Sequence, residues 1–372
     1  MSTILLSGVG GLGGWALELL ARTPGVDRIV TLKRGPWVGP SLTSLAMIGS
    51  VFQGHTKSFQ HHQVDLADEE ALVRILREVR PDAILHSATV QSPRHMMRAD
   101  LDPGLRQTLA TATFGMWLPW HLLPATQLTA AVEKADISTH VVNAAFPDVV
   151  NVALWRRFGH GPSAGAGNLE VCAAQVLRHV MEVTGAPVGE VEVSLVGSHA
   201  LLTHGPAKVP HHFGLRVEGR DVTAEYDLEK ILSSWPEAID WRKVDVFSLF
   251  AASAVKNVMA LIGEEEVRTH VTAPLGLPGG YPALISDGQI KLQLPEGLGK
   301  EEAMALNEAA LRWDGIDRIE IDGTVVYTAE AGAAMTELGI PSDPVVPTEL
   351  PERSAILKEL YHRLTADKEN HA

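Results

Sequence analysis

The sequence predicts an α/β protein, in which a doubly wound parallel sheet is followed by a second domain of α+β type. Strands alternate with helices over the first 150 residues, and a glycine-rich turn follows the first strand at once. Later in the chain, the sequence predicts separate helices and hairpin-like strands in which apolar and polar residues alternate. A chain of 372 residues can hold two domains with separate cores. We expect domains at 1–150 and 151–331, and a proline-rich C-terminal tail with a helix at 332–372.

The glycine-rich turn is the strongest local signal. It joins a short apolar strand at 4–6 to a segment with helical periodicity at 15–22. The spacing Gly8-x-Gly10-x-x-Gly13 is typical of a Rossmann-type turn that binds a dinucleotide, because it combines a tight turn, room for a pyrophosphate and close helix packing. Free N–H groups at the helix N-terminus would face the phosphates. The predicted cofactor contacts here are Gly8, Gly10, Gly11, Leu12 and Gly13.

The same turn also fits G-x-x-G-x-x-G through Gly8, Gly11 and Gly14, so it does not identify a subfamily.

The second strand, at 28–33, ends in Lys33 and is followed by Arg34. A fold that prefers NAD places an acidic residue here to bind the ribose 2′-hydroxyl. Two cations could instead pair with the 2′-phosphate of NADP. We therefore expect NADP to be preferred over NAD. Asp65, after the third strand, and Ala88, after the fourth, complete the predicted cofactor contacts.

The intervening and later segments are assigned from periodicity and turn residues. Residues 37–58 are predicted to be mostly loop with a short strand, and 105–134 a helical region broken at Pro119 and Pro124. A polar loop with Arg94 and Arg98 follows the fourth strand, where an active-site lid would lie.

Composition excludes several classes of function. The formal net charge of −14 argues against nucleic acid and anionic membranes as partners. No stretch approaches the roughly 20 apolar residues of a membrane span, and Cys172 is the one cysteine. We expect a cytoplasmic protein. The adjacent pairs His61-His62 and His211-His212 would point to opposite sides of a strand, so no metal site is predicted.

Several motifs, taken in order, resemble the lactate/malate dehydrogenase family. Besides the glycine turn, they are Pro93-Arg94 with Arg98–Leu101, Val141–Asn143 through Asp148, Gly167–Glu170, and His204–Pro210. The resemblance implies a nicotinamide-dependent oxidoreductase that acts on a secondary alcohol or carbonyl of a small molecule, and a homodimer or homotetramer.

The resemblance also suggests roles for individual residues. His204 would be the acid/base and Glu170 the carboxylate that orients it, while Asn143 would bind the substrate oxygen and Arg94 and Arg98 would orient the substrate. His199 is a rival base, because Gly197-Ser-His199 also resembles the family's G-x-H.

One position departs from the family. Its substrate-binding arginine corresponds to Ala173, which cannot grip a carboxylate. A small 2-hydroxy or 2-oxo acid is therefore a doubtful substrate unless another arginine replaces it.

Two other readings stay open. An extended short-chain dehydrogenase or epimerase of nucleotide sugars would use Tyr226-x-x-x-Lys230, which lies late in the chain. A non-catalytic dinucleotide sensor would explain the altered positions 170 and 173.

Overall fold

A computed structural model describes residues 2–94, 96, 101–233 and 244–365. Its strands within these ranges are β1 (Thr3–Ser7), β2 (Arg28–Lys33), β3 (Ser58–Gln63), β4 (Ala83–His86), β5 (His140–Asn143), β6 (Ala164–Gly165), β7 (Val191–Val196), β8 (His212–Val217), β9 (Arg220–Asp221), β10 (Val267–Thr272), β11 (Gly280–Ser286), β12 (Gln289–Leu292), β13 (Ile316–Ile319) and β14 (Val325–Tyr327).

The helices in the same ranges connect and cover these strands. They are α1 (Gly11–Arg22), α2 (Val38–Phe52), α3 (Glu69–Val79), α4 (Pro103–Ala112), α5 (Leu118–Ala135), α6 (Pro147–Phe158), α7 (Leu169–Thr184), α8 (His199–His204), α9 (Leu228–Ser233), α10 (Phe247–Ile262), α11 (Lys300–Ala310), α12 (Ala329–Glu337) and α13 (Leu350–Thr365).

The central sheet has nine strands in the order β12-β11-β10-β6-β5-β4-β1-β2-β3. The six strands from β3 to β6 run parallel, which confirms the predicted doubly wound sheet. β10 joins β6 in antiparallel fashion, and β11 and β12 extend the sheet. Strands from the second half of the chain therefore continue the first sheet past the predicted boundary at residue 150.

Successive side chains of the parallel strands point to opposite faces of the sheet, where they pack against two helical layers. Ile4 and Leu6 of β1 pack under α1 and α10, whereas Leu5 packs under α3 and α5. Neighbouring strands are in register at their carboxyl ends, so Ser7 lies beside His86 and His86 beside Asn143. This carboxyl edge is where ligands bind in open α/β sheets.

Two local predictions are wrong. Residues 38–52 form α2 rather than a loop, and Pro124 lies inside α5 instead of breaking it. The outer face of α2 is apolar, so the sequence lacks the polar stripe that normally marks a surface helix. Pro119, in contrast, lies in the first turn of α5, where its missing N–H costs nothing.

The C-terminal part is packed onto the rest of the chain. Its hairpin β13–β14, which turns around Asp322-Gly323, shares one buried apolar cluster with α12, α13, α5 and α6. Trp120 Nε1 of α5 donates a hydrogen bond to the Ser354 carbonyl of α13 at 3.0 Å. None of the helices in the described ranges is long and apolar enough to cross a bilayer.

Candidate functional site

The glycine turn has a backbone that side chains would obstruct. Gly8 has φ +93, and a Cβ there would lie 2.7 Å from the Ala88 backbone. A Cβ on Gly13 would lie 2.0 Å from the Gly8 carbonyl oxygen, whereas one on Gly10 would meet nothing within 4 Å. Gly8 and Gly13 are thus required by packing, and Gly10 borders open space.

The N-terminus of α1 offers unsatisfied N–H groups beside that space. Its N-cap, Gly10, has no side chain to accept them, and the first turn contains no acidic residue. Leu12 turns away and packs against the buried cluster below α1. This arrangement suits an anionic ligand.

The ends of β2 and β3 place charged groups next to the turn. Lys33 closes β2, and burial together with neighbouring Arg34 lowers its pKa. Arg34 Nη1 lies 3.7 Å from Asp65 Oδ2, in a pair that is exposed on both sides. Such an exposed pair is weak.

Phe247 and Arg94 cover the glycine turn from the α10 side. The Phe247 ring lies where a Cβ on Gly11 would be, and the Arg94 guanidinium stacks 4.5 Å from the centre of that ring. Arg94 also donates to Asp245 Oδ1 at 3.2 Å and to the Val244 carbonyl at 2.8 Å. Arg98 lies outside the described residues.

A histidine backed by a carboxylate lies at the carboxyl edge of the sheet. His199, the first residue of α8, donates from Nδ1 to Asp314 Oδ1 at 2.7 Å, and its backbone N–H donates to Asp148 Oδ1 at 2.8 Å. The Asp314 side chain is 2% exposed and that of His199 is 12% exposed. Asp148 follows β5 by five residues, which positions the pair beyond that strand.

The two carboxylates set the charge of His199. Burial alone would lower the pKa of His199, but the charge and hydrogen bond of Asp314, together with Asp148, outweigh burial and raise it. Burial raises the pKa of Asp148. His199 Nε2 makes no hydrogen bond to any described residue, so it is the ring nitrogen available to a ligand.

Aromatic rings surround His199. The ring centres of Phe114 and Phe146 lie 5.2 Å and 5.5 Å from that of His199. His121, on α5, contacts the same two rings at 5.4 Å and 6.1 Å. His121 and His86, which ends β4, are both buried.

The structure does not bring His204 and Glu170 together. His204 ends α8, and its ring lies 5.6 Å from that of Trp313. Glu170 is turned towards α10, where it accepts from Lys256 Nζ at 2.9 Å, from Asn257 Nδ2 at 2.7 Å, and from Ser253 Oγ. Its carboxylate is therefore satisfied without a histidine, and Asp314 is the acid that contacts one.

Asn143 is also committed to internal contacts. It is fully buried, donates to Asn151 Oδ1 at 2.9 Å, and accepts from the Ala145 N–H at 2.8 Å. Its predicted contact with a substrate oxygen stays a prediction.

The remaining sequence candidates lie elsewhere. Ala173 is buried in the apolar cluster of α7 and β7. Tyr226 packs against His179, with ring centres 6.3 Å apart, and the Lys230 side chain is 85% exposed beside Asp227.

Comparison with solved structures identifies known proteins with the same fold. A lactate dehydrogenase from Cryptosporidium parvum superposes with a TM-score of 0.61 at 16% identity, over 84% of this chain and 96% of that one. A malate dehydrogenase from Plasmodium falciparum gives 0.60 at 14% identity, over 84% and 96%. The fold is that of the lactate and malate dehydrogenases.

The likeness extends across distant organisms. A malate dehydrogenase from Aeropyrum pernix, which has the same fold, gives a TM-score of 0.60 at 13% identity, over 84% of this chain and 97% of that one. The Cryptosporidium enzyme was solved with lactic acid and nicotinamide adenine dinucleotide. No protein-family model matches the sequence, and no curated protein matches it.

Sequence reasoning missed the acid that contacts His199. Asp314 lies 115 residues after His199, in a stretch with no motif of its own. His86 carried a weak signal, because it ends a buried strand at the carboxyl edge. His121 carried none, since a single histidine in an apolar helix usually belongs to the core.

Proposed function

We propose that the protein is an NAD(P)-dependent dehydrogenase or reductase that acts on a secondary alcohol or carbonyl of a small molecule. The observation that carries this proposal is the His199–Asp314 pair, with its 2.7 Å hydrogen bond, at the carboxyl edge of a sheet with the dehydrogenase fold. The nicotinamide adenine dinucleotide bound to the Cryptosporidium enzyme of the same fold, together with the glycine turn, favours a nicotinamide cofactor over other dinucleotides.

The residues present fit such a cofactor. The open space at Gly10 admits a close backbone approach, and the uncapped N-terminus of α1 would face the pyrophosphate. Gly8, Gly11, Leu12, Gly13 and Ala88 would form the rest of that wall. The bound cofactor would accept or supply the hydride.

His199 would carry the proton in either direction. With Nδ1–H held by Asp314, the neutral imidazole has a lone pair on Nε2 that can take the hydroxyl proton during alcohol oxidation. In carbonyl reduction the protonated ring returns that proton to the new alkoxide oxygen. Asp314 fixes the ring orientation and stabilises the imidazolium, while Phe114 and Phe146 exclude water.

NADP is the cofactor we favour. Lys33 and Arg34 stand where a carboxylate would bind a free ribose hydroxyl, and the exposed partner of Arg34, Asp65, binds it weakly. Lys33→Ala and Arg34→Ala should raise the KM for NADP and leave that for NAD nearly unchanged. Equal effects on both cofactors would count against NADP preference.

The activity is tested by following cofactor reduction with panels of alcohols, sugars and hydroxy acids. His199→Gln should abolish turnover, whereas His204→Gln, at the other end of α8, should retain it. Retained activity in His199→Gln would refute the proposed base, and loss in His204→Gln alone would restore the base predicted from the sequence. A protein that binds the cofactor but never reduces it would be a sensor.

We also propose that the protein forms a homodimer through α2. Its apolar residues Val38, Leu45, Ile48 and Phe52 follow helical spacing on one face, and residues 35–56 contain no Asp, Glu, Lys or Arg. With Trp37 and Val51, all at least 51% exposed, the face presents on the order of 800 Å², close to one partner's share of a standard interface.

The homodimer is tested by measuring molar mass in solution by light scattering. Ile48→Glu should give a monomer, whereas Val183→Glu, an equally exposed apolar position on α7, should not. An unchanged mass in Ile48→Glu would exclude this face.

A cytoplasmic location is proposed from the single, buried Cys172.

A further inference from the structure

The charge around His199 is unusual for a site that binds an anion. Asp314 contacts His199, and Asp148 accepts from the His199 backbone and from Asn168. Among the described residues, neither carboxylate has a lysine or arginine within ion-pair distance. Within the described ranges, a second anion brought to His199 would therefore face two buried carboxylates with only the protonated His199 ring as a compensating charge.

Three cations of the described ranges that could replace the missing arginine are engaged elsewhere. Arg94 binds Asp245 and the Val244 carbonyl, Lys256 binds Glu170, and Arg178 binds Glu182 at 2.6 Å. Ala173 is buried among apolar side chains and has no charge to offer. An unpaired carboxylate buried here would lose its hydration without replacement.

The wall opposite His199 is polar but uncharged. Both ring nitrogens of His121, and Nε2 of His86, are buried without a hydrogen-bond partner. Burial lowers the pKa of His121 to about 3 and that of His86 to about 4, so both rings are neutral near pH 7. Neutral imidazoles can hydrogen-bond a hydroxyl or carbonyl, but they cannot supply the charge that a carboxylate needs.

A metal ion does not explain these unsatisfied nitrogens. Within the described ranges, no three histidine, cysteine or carboxylate side chains are grouped so that they could hold one. Phe114 separates His121 from His199 and contacts both rings. It is only partly buried, so it is the side chain through which a ligand would meet this wall.

We infer that the substrate is uncharged next to its reacting carbon, an alcohol or carbonyl compound that bears a neutral group where lactate and malate bear a carboxylate. Phe114 would then be a residue that determines specificity. This inference rests on the proposed function. It extends the proposal from a reaction type to a class of substrate.

The test compares substrates that differ in charge alone. The protein is assayed with sets of three compounds on one skeleton: an acid, its primary amide and the corresponding diol. One set is mandelate, mandelamide and 1-phenyl-1,2-ethanediol, and two further sets carry a methyl or a cyclohexyl group in place of the phenyl group. Because like charges in a buried site cost several kcal/mol, the neutral members should exceed the acid about 100-fold in kcat/KM. Binding of each compound with cofactor present is measured in parallel by calorimetry.

The outcomes separate the inference from the proposed function. The inference would be overturned if the acids were turned over or bound as strongly as their amides, or if no set showed a preference for its neutral members. This holds even if hydride transfer is observed. Preferential binding of neutral compounds without any hydride transfer would support the substrate class and refute the reaction.

A pair of variants adds a second readout. Phe114→Arg places a cation beside His199 and should reduce or reverse the preference for neutral compounds. Phe114→Leu, which keeps the wall apolar, should preserve it. The inference would be overturned if Phe114→Arg and Phe114→Leu showed the same preference while both remained folded by circular dichroism.

Discussion

Replacing Asp314 by Asn removes the charge that backs His199 while nearly preserving the shape of the side chain. The 2.7 Å hydrogen bond is buried, with 12% and 2% of the two side chains exposed. A hydrogen bond to a charged group in such a setting contributes about 1.5–3 kcal/mol. If that stabilisation acts on the imidazolium formed in the transition state, kcat/KM should fall roughly 10- to 150-fold.

The pH profile gives the sign of the effect. Asp314 helps to hold the pKa of His199 above its ordinary value, so the neutral base needed for alcohol oxidation is present only above that raised pKa. Asp314→Asn should therefore move the acidic limb of kcat/KM to lower pH while reducing the plateau. Initial rates over a range of pH, with saturating cofactor, measure both.

The control, Asp317, lies three residues later in β13. Asp317 forms an exposed pair with Arg318, so Asp317→Asn should change neither the plateau nor the limb. An unchanged profile in Asp314→Asn, in a protein whose His199→Gln variant is inactive, would refute the role assigned to Asp314.

Two further predictions concern the glycine turn and acid stability. Gly13→Ala should lower the melting temperature, because its Cβ would lie 2.0 Å from the Gly8 carbonyl, whereas Gly10→Ala should melt normally but bind the cofactor more weakly; normal melting of both would contradict the packing. The free energy of unfolding should fall as the pH drops from about 6.5 towards 4. The reason is that His86 takes up its proton only near pH 4 when the protein is folded, but near 6.5 when it is unfolded. At about 1.4 kcal/mol per pKa unit, the lowered pKa of His86 contributes up to about 3 kcal/mol to this fall. Urea titrations at several pH values measure the fall, which His86→Leu should reduce and His179→Leu should not.

The predictable parts of the fold were those encoded locally. The strand, turn and helix around Gly8 follow from spacing, and the hairpin around Asp322-Gly323 follows from its turn residues. The sequence pattern did not predict the helix α2, because its exposed face is apolar. The alternation of polar and apolar faces that identifies surface helices is therefore missing.

The site was harder to predict because its defining contacts are long-range. Motif order pointed to the segment containing His199 and His204, but it could not show which ring contacts an acid. Glu170 occupies the expected place in sequence, yet Lys256, 86 residues later, pairs with it. No pattern along the chain links Asp314 to His199, because the two residues are 115 positions apart and meet only in the folded protein.

The contact between Asp314 and His199 makes part of the site dependent on a segment outside the central sheet. Asp314 lies between Leu311 and Ile316, which pack in the apolar cluster that also contains Trp120 and residues of α13 rather than in the core of the sheet. Local opening of such a peripheral unit costs less than global unfolding. We expect denaturant to extinguish turnover while the sheet and its dinucleotide cleft are still intact, so inactivation would precede the loss of secondary structure.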